Sequence, residues 1–181
     1  MTAPQNPLDL APLHGAALLA EWVKAAGLPG YRADQLRLRL WQNPVGSWAE
    51  ATELPVALRE RLEAEFPLPR LTTEVVQTSS DGTRKYLWGL PDGERIESVL
   101  IPTATRRTLC ISSQVGCALG CGFCATGLMG FRRNLRPWEI AAQVREVVLR
   151  NPDDKPTNIV FMGMGEPLLN YDAVLAAVDV L

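Results

Sequence analysis

All four cysteines of this 181-residue chain, Cys110, Cys117, Cys121 and Cys124, fall within fifteen consecutive positions. That clustering constrains the fold more than any other feature. A secreted disulfide framework spreads its cysteines to tie distant segments together, whereas thiols this close mark a metal site on one loop. Three of them stand as Cys117-Ala-Leu-Gly-Cys121-Gly-Phe-Cys124, at a spacing of four and then three, just after a run of β-formers from Thr108 to Ser112. Three thiolates can hold three irons of a four-iron, four-sulfur cluster and leave the fourth open. Gly116, Gly120, Gly122 and Gly127 permit the tight backbone path such a loop needs. The alternative is a structural zinc site using all four thiols. Zinc sites usually pair ligands as Cys-x2-Cys with a second pair further along, and Cys110 lies upstream on the predicted strand.

The elements around the loop divide the chain. Periodicity predicts helices over Ala16–Ala26, Arg32–Gln42 and Val56–Phe66, punctuated by Gly27, Pro29, Gly30 and Pro44. Leu71–Thr78, Arg84–Leu90 and Arg95–Ile101 are rich in β-formers, with Asp81-Gly82 and Asp92-Gly93 between them as turn dipeptides, which predicts a three-stranded meander. From Arg107 the order is strand, cysteine loop, helix Pro137–Arg150, strand Asn158–Met162, glycine-rich loop and helix from Asp172. Ile140, Val144, Val147 and Val148 give the first of these helices an apolar stripe, and Pro137 suits its first turn. This βαβα order belongs to an α/β fold with a parallel sheet. The division is a helical accessory domain over 1–70, a β meander over 71–105 and an α/β unit over 106–181. Two parallel strands cannot close a barrel, and the last helix reaches Leu181 without a cap, so the carboxy-terminal part of this domain is expected to be missing.

With 47% hydrophobic and 21% charged residues the chain reads as a soluble globular protein. No apolar run long enough for a membrane span and no secretory signal is present, so a cytoplasmic location without membrane contact is expected. The net charge of -2 is uneven: residues 98–150 hold seven basic against two acidic groups. The seven are Arg106, Arg107, Arg132, Arg133, Arg136, Arg145 and Arg150. Arginine forks match phosphate oxygens, which suits a polyanionic substrate, although a solvated face with local ion pairs has the same composition. His14, the only histidine, reads as structural or exposed.

A second loop, Met162-Gly-Met-Gly165-Glu166-Pro167, follows the next strand and begins like a dinucleotide fingerprint, but Glu166-Pro167 breaks that pattern. Together the two loops resemble the radical-SAM superfamily, named for S-adenosylmethionine (SAM). The resemblance implies a partial radical-SAM (β/α) barrel over 106–181, a cluster held by Cys117, Cys121 and Cys124, and contacts from Gly165 and Glu166 to SAM. Further words narrow it: Arg107-Thr-Leu-Cys-Ile-Ser-Ser-Gln-Val-Gly-Cys117, Gly130-Phe-Arg-Arg-Asn134, Phe161-Met-Gly-Met-Gly-Glu-Pro-Leu-Leu-Asn170, and Ser80-Asp-Gly-Thr-Arg-Lys85 with Ile96-Glu97. From about Gly30 onward these resemble the dual-specificity 23S ribosomal RNA and transfer RNA adenine C2 methyltransferases.

In that family one SAM methylates a cysteine near the carboxy terminus. A second, cleaved at the cluster, yields the radical that activates the S-methyl group for addition to C2 of adenine. The resemblance implies that Glu97 is the proton acceptor. It implies that Cys110 pairs transiently with the methyl-carrying cysteine, by a disulfide bond, to release product. It implies 23S rRNA and tRNA as partners, RNA contact by the helical domain, an electron donor such as a flavodoxin or ferredoxin, and a monomer. No cysteine follows Cys124, so the methyl-carrying residue is absent and these residues alone are expected not to turn over. The rival is the related adenine C8 methyltransferase family, which shares the cysteine loop but departs from the Pro167-Leu-Leu-Asn170 found here. A non-catalytic module holding zinc and RNA is a rival of another class.

Overall fold

A computed structural model describes residues 15–65, 68 and 70–181. His14, Phe66 and the first fourteen residues of the helical segment lie outside the described residues, as do the side chains of residues 15–18. Helix α1 (Gly15–Ala25) and helix α2 (Tyr31–Arg37) are joined through Gly27, whose φ of +68° ends the first helix. The helix predicted over Arg32–Gln42 changes geometry partway. Leu38–Gln42 is a π-helical turn, and its wider winding lets the adjacent Leu40 and Trp41 both be buried. A short 3-10 turn (Trp48–Glu50) and helix α3 (Val56–Glu65) follow, the latter burying Leu58 and Leu62 one turn apart.

The predicted meander is present as β1 (Thr72–Thr78), β2 (Arg84–Gly89) and β3 (Arg95–Pro102). Both turns are built as their dipeptides require. Gly82 and Gly93 each have φ +84°, and Asp81 and Asp92 accept hydrogen bonds from the amides of Thr83 and Glu94. β4 (Arg107–Cys110) then runs antiparallel to β3. Further along come β5 (Gln114–Gly116), the short helix α4 (Ala125–Leu128), β6 (Phe131–Asn134), helix α5 (Pro137–Arg150), β7 (Asn158–Val160), a 3-10 turn (Pro167–Asn170) and helix α6 (Tyr171–Val178). β7 pairs with β4 in parallel register, Thr108 with Asn158 and Cys110 with Val160. The sheet order is therefore β1-β2-β3-β4-β7, and one sheet carries the meander into the parallel pair, across residues 105 and 106.

One face of this sheet is a core. Tyr86, Trp88, Ile96, Leu100 and Leu109 point into it at the period of two that a strand imposes. Helix α5 belongs to that core, with the bounds expected for it but a different burial. Every residue from Trp138 to Val147 is buried, including the polar Glu139, Gln143, Arg145 and Glu146. The apolar stripe describes only part of this burial: Gln143 turns toward the sheet and bonds Ser98 and Ser112, and Glu146 and Arg145 are buried on other sides. Glu146 accepts from Arg70 at 2.6 Å, and Arg145 donates to the Val45 carbonyl. Burial pushes the Arg145 guanidinium down to about 10, with Glu146 opposing the shift.

Candidate active site

β4 and β7 point the same way, so the segments leaving Cys110 and Val160 emerge side by side. In parallel sheets this carboxyl edge is where sites are built. The strand expected over Thr108–Ser112 stops at Cys110, and the reason is a side chain. The Ser112 amide donates to Gln143 Oε1 at 2.8 Å, while Gln143 Nε2 donates to the Ser112 carbonyl at 2.9 Å. Helix α5 thus takes both backbone groups of Ser112 out of the sheet. The Ser112 hydroxyl donates to the Glu97 carbonyl at 2.6 Å and accepts from the Met164 amide at 2.9 Å.

The cysteine loop is closed at its base by a two-stranded hairpin that periodicity did not reveal. Gln114 pairs with Asn134, Val115 with Arg133 and Gly116 with Phe131, across a bulge. Gly116 has φ +72°, and a Cβ there would lie 1.8 Å from the Gly130 carbonyl oxygen, so the closure requires glycine. Cys117, Cys121 and Cys124 are free, half-buried thiols on the loop so formed. The Leu119 amide points at Cys117 Sγ over 3.4 Å, and amides of Gly127 and Thr126 hold the Cys124 thiol below its ordinary range. Phe123, Leu128 and Met129 stand out from the same loop as exposed apolar side chains.

The second loop is fixed far more closely. The amides of Ser113 and Gln114 donate to the Met164 carbonyl at 2.8 and 3.2 Å, and the Gly163 amide donates to the Ile111 carbonyl at 3.0 Å. Gly165 has φ +97°, and a Cβ on it would stand 2.5 Å from Gln114 Cβ. The Glu166 amide donates to Gln114 Oε1 at 3.0 Å, and its carboxylate caps the following turn by accepting from the Leu168 amide at 3.1 Å. Asn170, buried, donates to the carbonyls of Ser113 and Leu135. Nothing in the periodicity of the sequence assigns roles to Ser112, Gln114, Asn134, Gln143 or Asn170, because an isolated polar residue leaves no periodic signal.

Glu97 and Cys110 lie on the sheet face opposite the core. Cys110 is the cross-strand partner of Val99, which places Glu97 diagonal to it. Diagonal neighbours on one face stand roughly 7–8 Å apart. Burial pushes the Cys110 thiol up. Glu97 is held by Lys85, whose Nζ is 3.1 Å away, in a shallow cavity of about 110 Å³ shared with Val75, Gln77 and Leu87. No disulfide forms among the four cysteines.

The arginine patch does not survive as a unit. Arg145 is internal. Arg133 donates to both Glu139 oxygens at 2.8 Å and to Asp92 at 2.7 Å, which raises its pKa further. Arg107 bonds Asp154 at 2.5 Å, and Arg150 lies over the Trp88 ring at 5.9 Å. Arg106 and Arg132 remain exposed, the latter beside a cavity of about 200 Å³ with Met129, Gly130 and Met164 at the base of the cysteine loop. Of the seven like charges close in sequence, Arg107 and Arg133 are thus taken up in ion pairs, Arg145 is drawn inside and Arg150 lies over a ring.

Comparison with known proteins agrees with this architecture. The Radical SAM superfamily pattern matches residues 111–180. A crystal structure of a radical SAM methyltransferase from Sphaerobacter thermophilus superposes with a TM-score of 0.85 at 41% identity, covering 98% of this chain and 52% of that one. The chain belongs to the radical SAM superfamily. Within it, the chain is similar over its length to proteins named dual-specificity RNA methyltransferase RlmN. It is 55% identical over 181 residues to one from Gemmatimonas aurantiaca, named as probable, covering all of this chain and 50% of that protein. It is 49% identical over 164 residues to one from Syntrophobacter fumaroxidans, covering 90% of this chain and 48% of that one. The chain thus spans about half the length of the curated relatives it matches. Among the described residues no helix is long and apolar enough to cross a membrane.

A radical SAM domain takes a four-iron, four-sulfur cluster and SAM, and the donor set fits. Three free thiols share one loop, amides already point at two of the sulfurs, and one thiol is biased toward thiolate. Among the described residues no three acidic, cysteine or histidine side chains converge as a ready-made metal set. The loop presents its thiols singly.

Proposed function

We propose that the chain is the cluster- and SAM-binding part of an RNA methyltransferase that methylates C2 of adenine in 23S rRNA and tRNA by way of a methylcysteine. The observation that carries this reading is the placement of Glu97 and Cys110 on one open sheet face, at the carboxyl edge from which both loops emerge. Cys117, Cys121 and Cys124 would hold the cluster, with Gly165 and Glu166 against SAM. When bound, the cluster supplies the electron that cleaves the sulfonium of SAM. Glu97, positioned by Lys85, accepts the proton lost from adenine C2. Cys110, as thiolate, attacks the sulfur tethering the base: the S–S bond to the methyl-carrying cysteine forms as the S–C bond breaks, and the electron pair left on that carbon, delocalised into the adenine ring, takes up a proton to complete the methyl group. Because burial favours its neutral thiol, that attack waits for a base to take the proton. The whole enzyme acts as a cytoplasmic monomer supplied with electrons by a flavodoxin- or ferredoxin-like donor. The helices of 1–70 and the exposed Arg106 and Arg132 face the RNA.

The test is the product. Anaerobically reconstituted full-length protein, given SAM, reductant and RNA, should yield 2-methyladenosine by mass spectrometry. Cys110→Ala should keep its iron, cleave SAM and accumulate a covalent protein–RNA adduct, whereas Cys117→Ala should lose iron and form none. Methylation at C8 would shift the reading to the rival family, and active, colourless, zinc-loaded protein would overturn it.

A further inference from the structure

We propose that Gln114 is a positioning residue for SAM: its carboxamide sets the aim of Gly165–Glu166 relative to the cysteine loop. The inference rests on the radical SAM reading of those two loops. Gln114 is 1% exposed, and both ends of its amide are engaged across different segments. Its Oε1 accepts from the Glu166 amide at 3.0 Å, and its Nε2 donates to Asn134 Oδ1 at 2.8 Å. Asn134 in turn donates through Nδ2 to the Leu169 carbonyl at 3.3 Å. The Gln114 stem fills the space a side chain at Gly165 would need, with its Cβ 2.5 Å from where that Cβ would be.

These bonds fix the direction of the amide. The Glu166 N–H demands an acceptor, so the oxygen faces the SAM loop and the NH2 group faces the hairpin that closes the cysteine loop. Gln114 belongs to that hairpin, as the first residue of β5, and Asn134 is its cross-strand partner. One buried side chain therefore joins the segment that would hold the cluster to the backbone amide beside the residues that would hold SAM. A carboxylate could not replace it while ionised, because it would bring an acceptor against Asn134 Oδ1. When protonated it has one acceptor and one donor, like the native amide. Burial keeps such a carboxyl neutral to a higher pH than usual.

The experiment compares wild type, Gln114→Glu, Gln114→Met and Asn134→Ser, each as full-length protein reconstituted anaerobically. It measures iron per chain, SAM affinity by equilibrium dialysis across pH, and exchange of the Glu166 amide in the metal-free chain. Gln114→Met should bind SAM on the order of tenfold more weakly with iron content unchanged, as expected for loss of a partner that orients a binding group. Asn134→Ser, at the exposed end of the link, should shift affinity in the same direction by less. The Glu166 amide should exchange faster in both. Gln114→Glu should match wild type at acid pH and fall below it as the pH rises through its own titration, a signature that a purely structural loss would not give. SAM affinity unchanged in Gln114→Met, or a Gln114→Glu to wild-type ratio flat with pH, would overturn the assignment. Failure of wild type itself to bind iron and SAM would instead overturn the radical SAM reading on which it rests.

Discussion

The two loops that leave the parallel strands are built in opposite ways. The Gly163–Glu166 loop is held by backbone bonds to Ile111, Ser113 and Gln114 and by two side chains, the Ser112 hydroxyl and the Gln114 carboxamide. The Cys117–Cys124 loop is held at its base alone, by a hairpin of three and four residues, and carries Phe123 at 94% exposure. The difference separates two tasks. A loop that contacts a flexible ligand through its backbone gains from being fixed beforehand, since the ordering cost is already met on folding. A loop whose ligands are thiolates can close when the metal binds, with coordination supplying the free energy.

Removing the anchor the two loops share should have the largest effect. Gln143→Leu strands the amide and carbonyl of Ser112 and the Ser98 hydroxyl that donates to Gln143 at 2.8 Å. At ~1–3 kcal/mol for each unsatisfied buried group, partly relieved by relaxation, urea unfolding should show a loss of about 4 kcal/mol. A loss below ~1 kcal/mol would mean that Ser112 finds other partners. Next comes the tight loop by itself. Gly165→Ala adds a left-handed backbone cost of ~1–2 kcal/mol to an overpacking cost of ~1–3 kcal/mol, so about 3 kcal/mol should be lost.

The open loop should show the smallest effect. Cys124→Ala should change the stability of the metal-free chain by less than ~0.5 kcal/mol. Its chemistry should change more than its stability. The Cys124 thiol is held below its ordinary range by the Gly127 and Thr126 amides, so its thiolate persists to lower pH. Cys110 is pushed up by burial, so its thiolate forms only at higher pH. Iodoacetamide at neutral pH should therefore modify Cys124 first, and Cys110 should follow as the pH becomes alkaline. Equal rates would show that the loop does not hold this geometry in solution.

Legibility in the sequence follows the same divide. Long periodic elements could be read: Pro137–Arg150 is a helix with the bounds expected for it, and the two Asp-Gly turns set the meander. The hairpin under the cysteine loop could not, since Gln114–Gly116 is too short to show alternation and its partner lies beyond the whole loop. The end of β4 at Cys110 was hidden because Gln143, far along the chain, competes for the backbone of Ser112. The partners of the arginines were hidden for a related reason. Charge counted along the chain ignores the acids folding brings opposite, such as Glu139 against Arg133 and Asp154 against Arg107. For Glu97 and Cys110 the resemblance supplied roles, and pairing with β2 and β4 explains why they share a face.

The single sheet that joins meander to parallel pair also orders events in time. β1 to β4 connect through short turns and can zip locally, whereas pairing β4 with β7 must close the chain between Arg107 and Thr157, whose backbones bond at 2.8 Å. Everything that would hold iron lies inside that closure. Nascent chain that has formed the meander but not the crossover would carry thiols on a hairpin lacking the Met164 carbonyl that accepts from Ser113 and Gln114. An iron-poor preparation would then report slow maturation of the crossover, and warming or holding the chain before reconstitution should raise its metal content without any change of sequence.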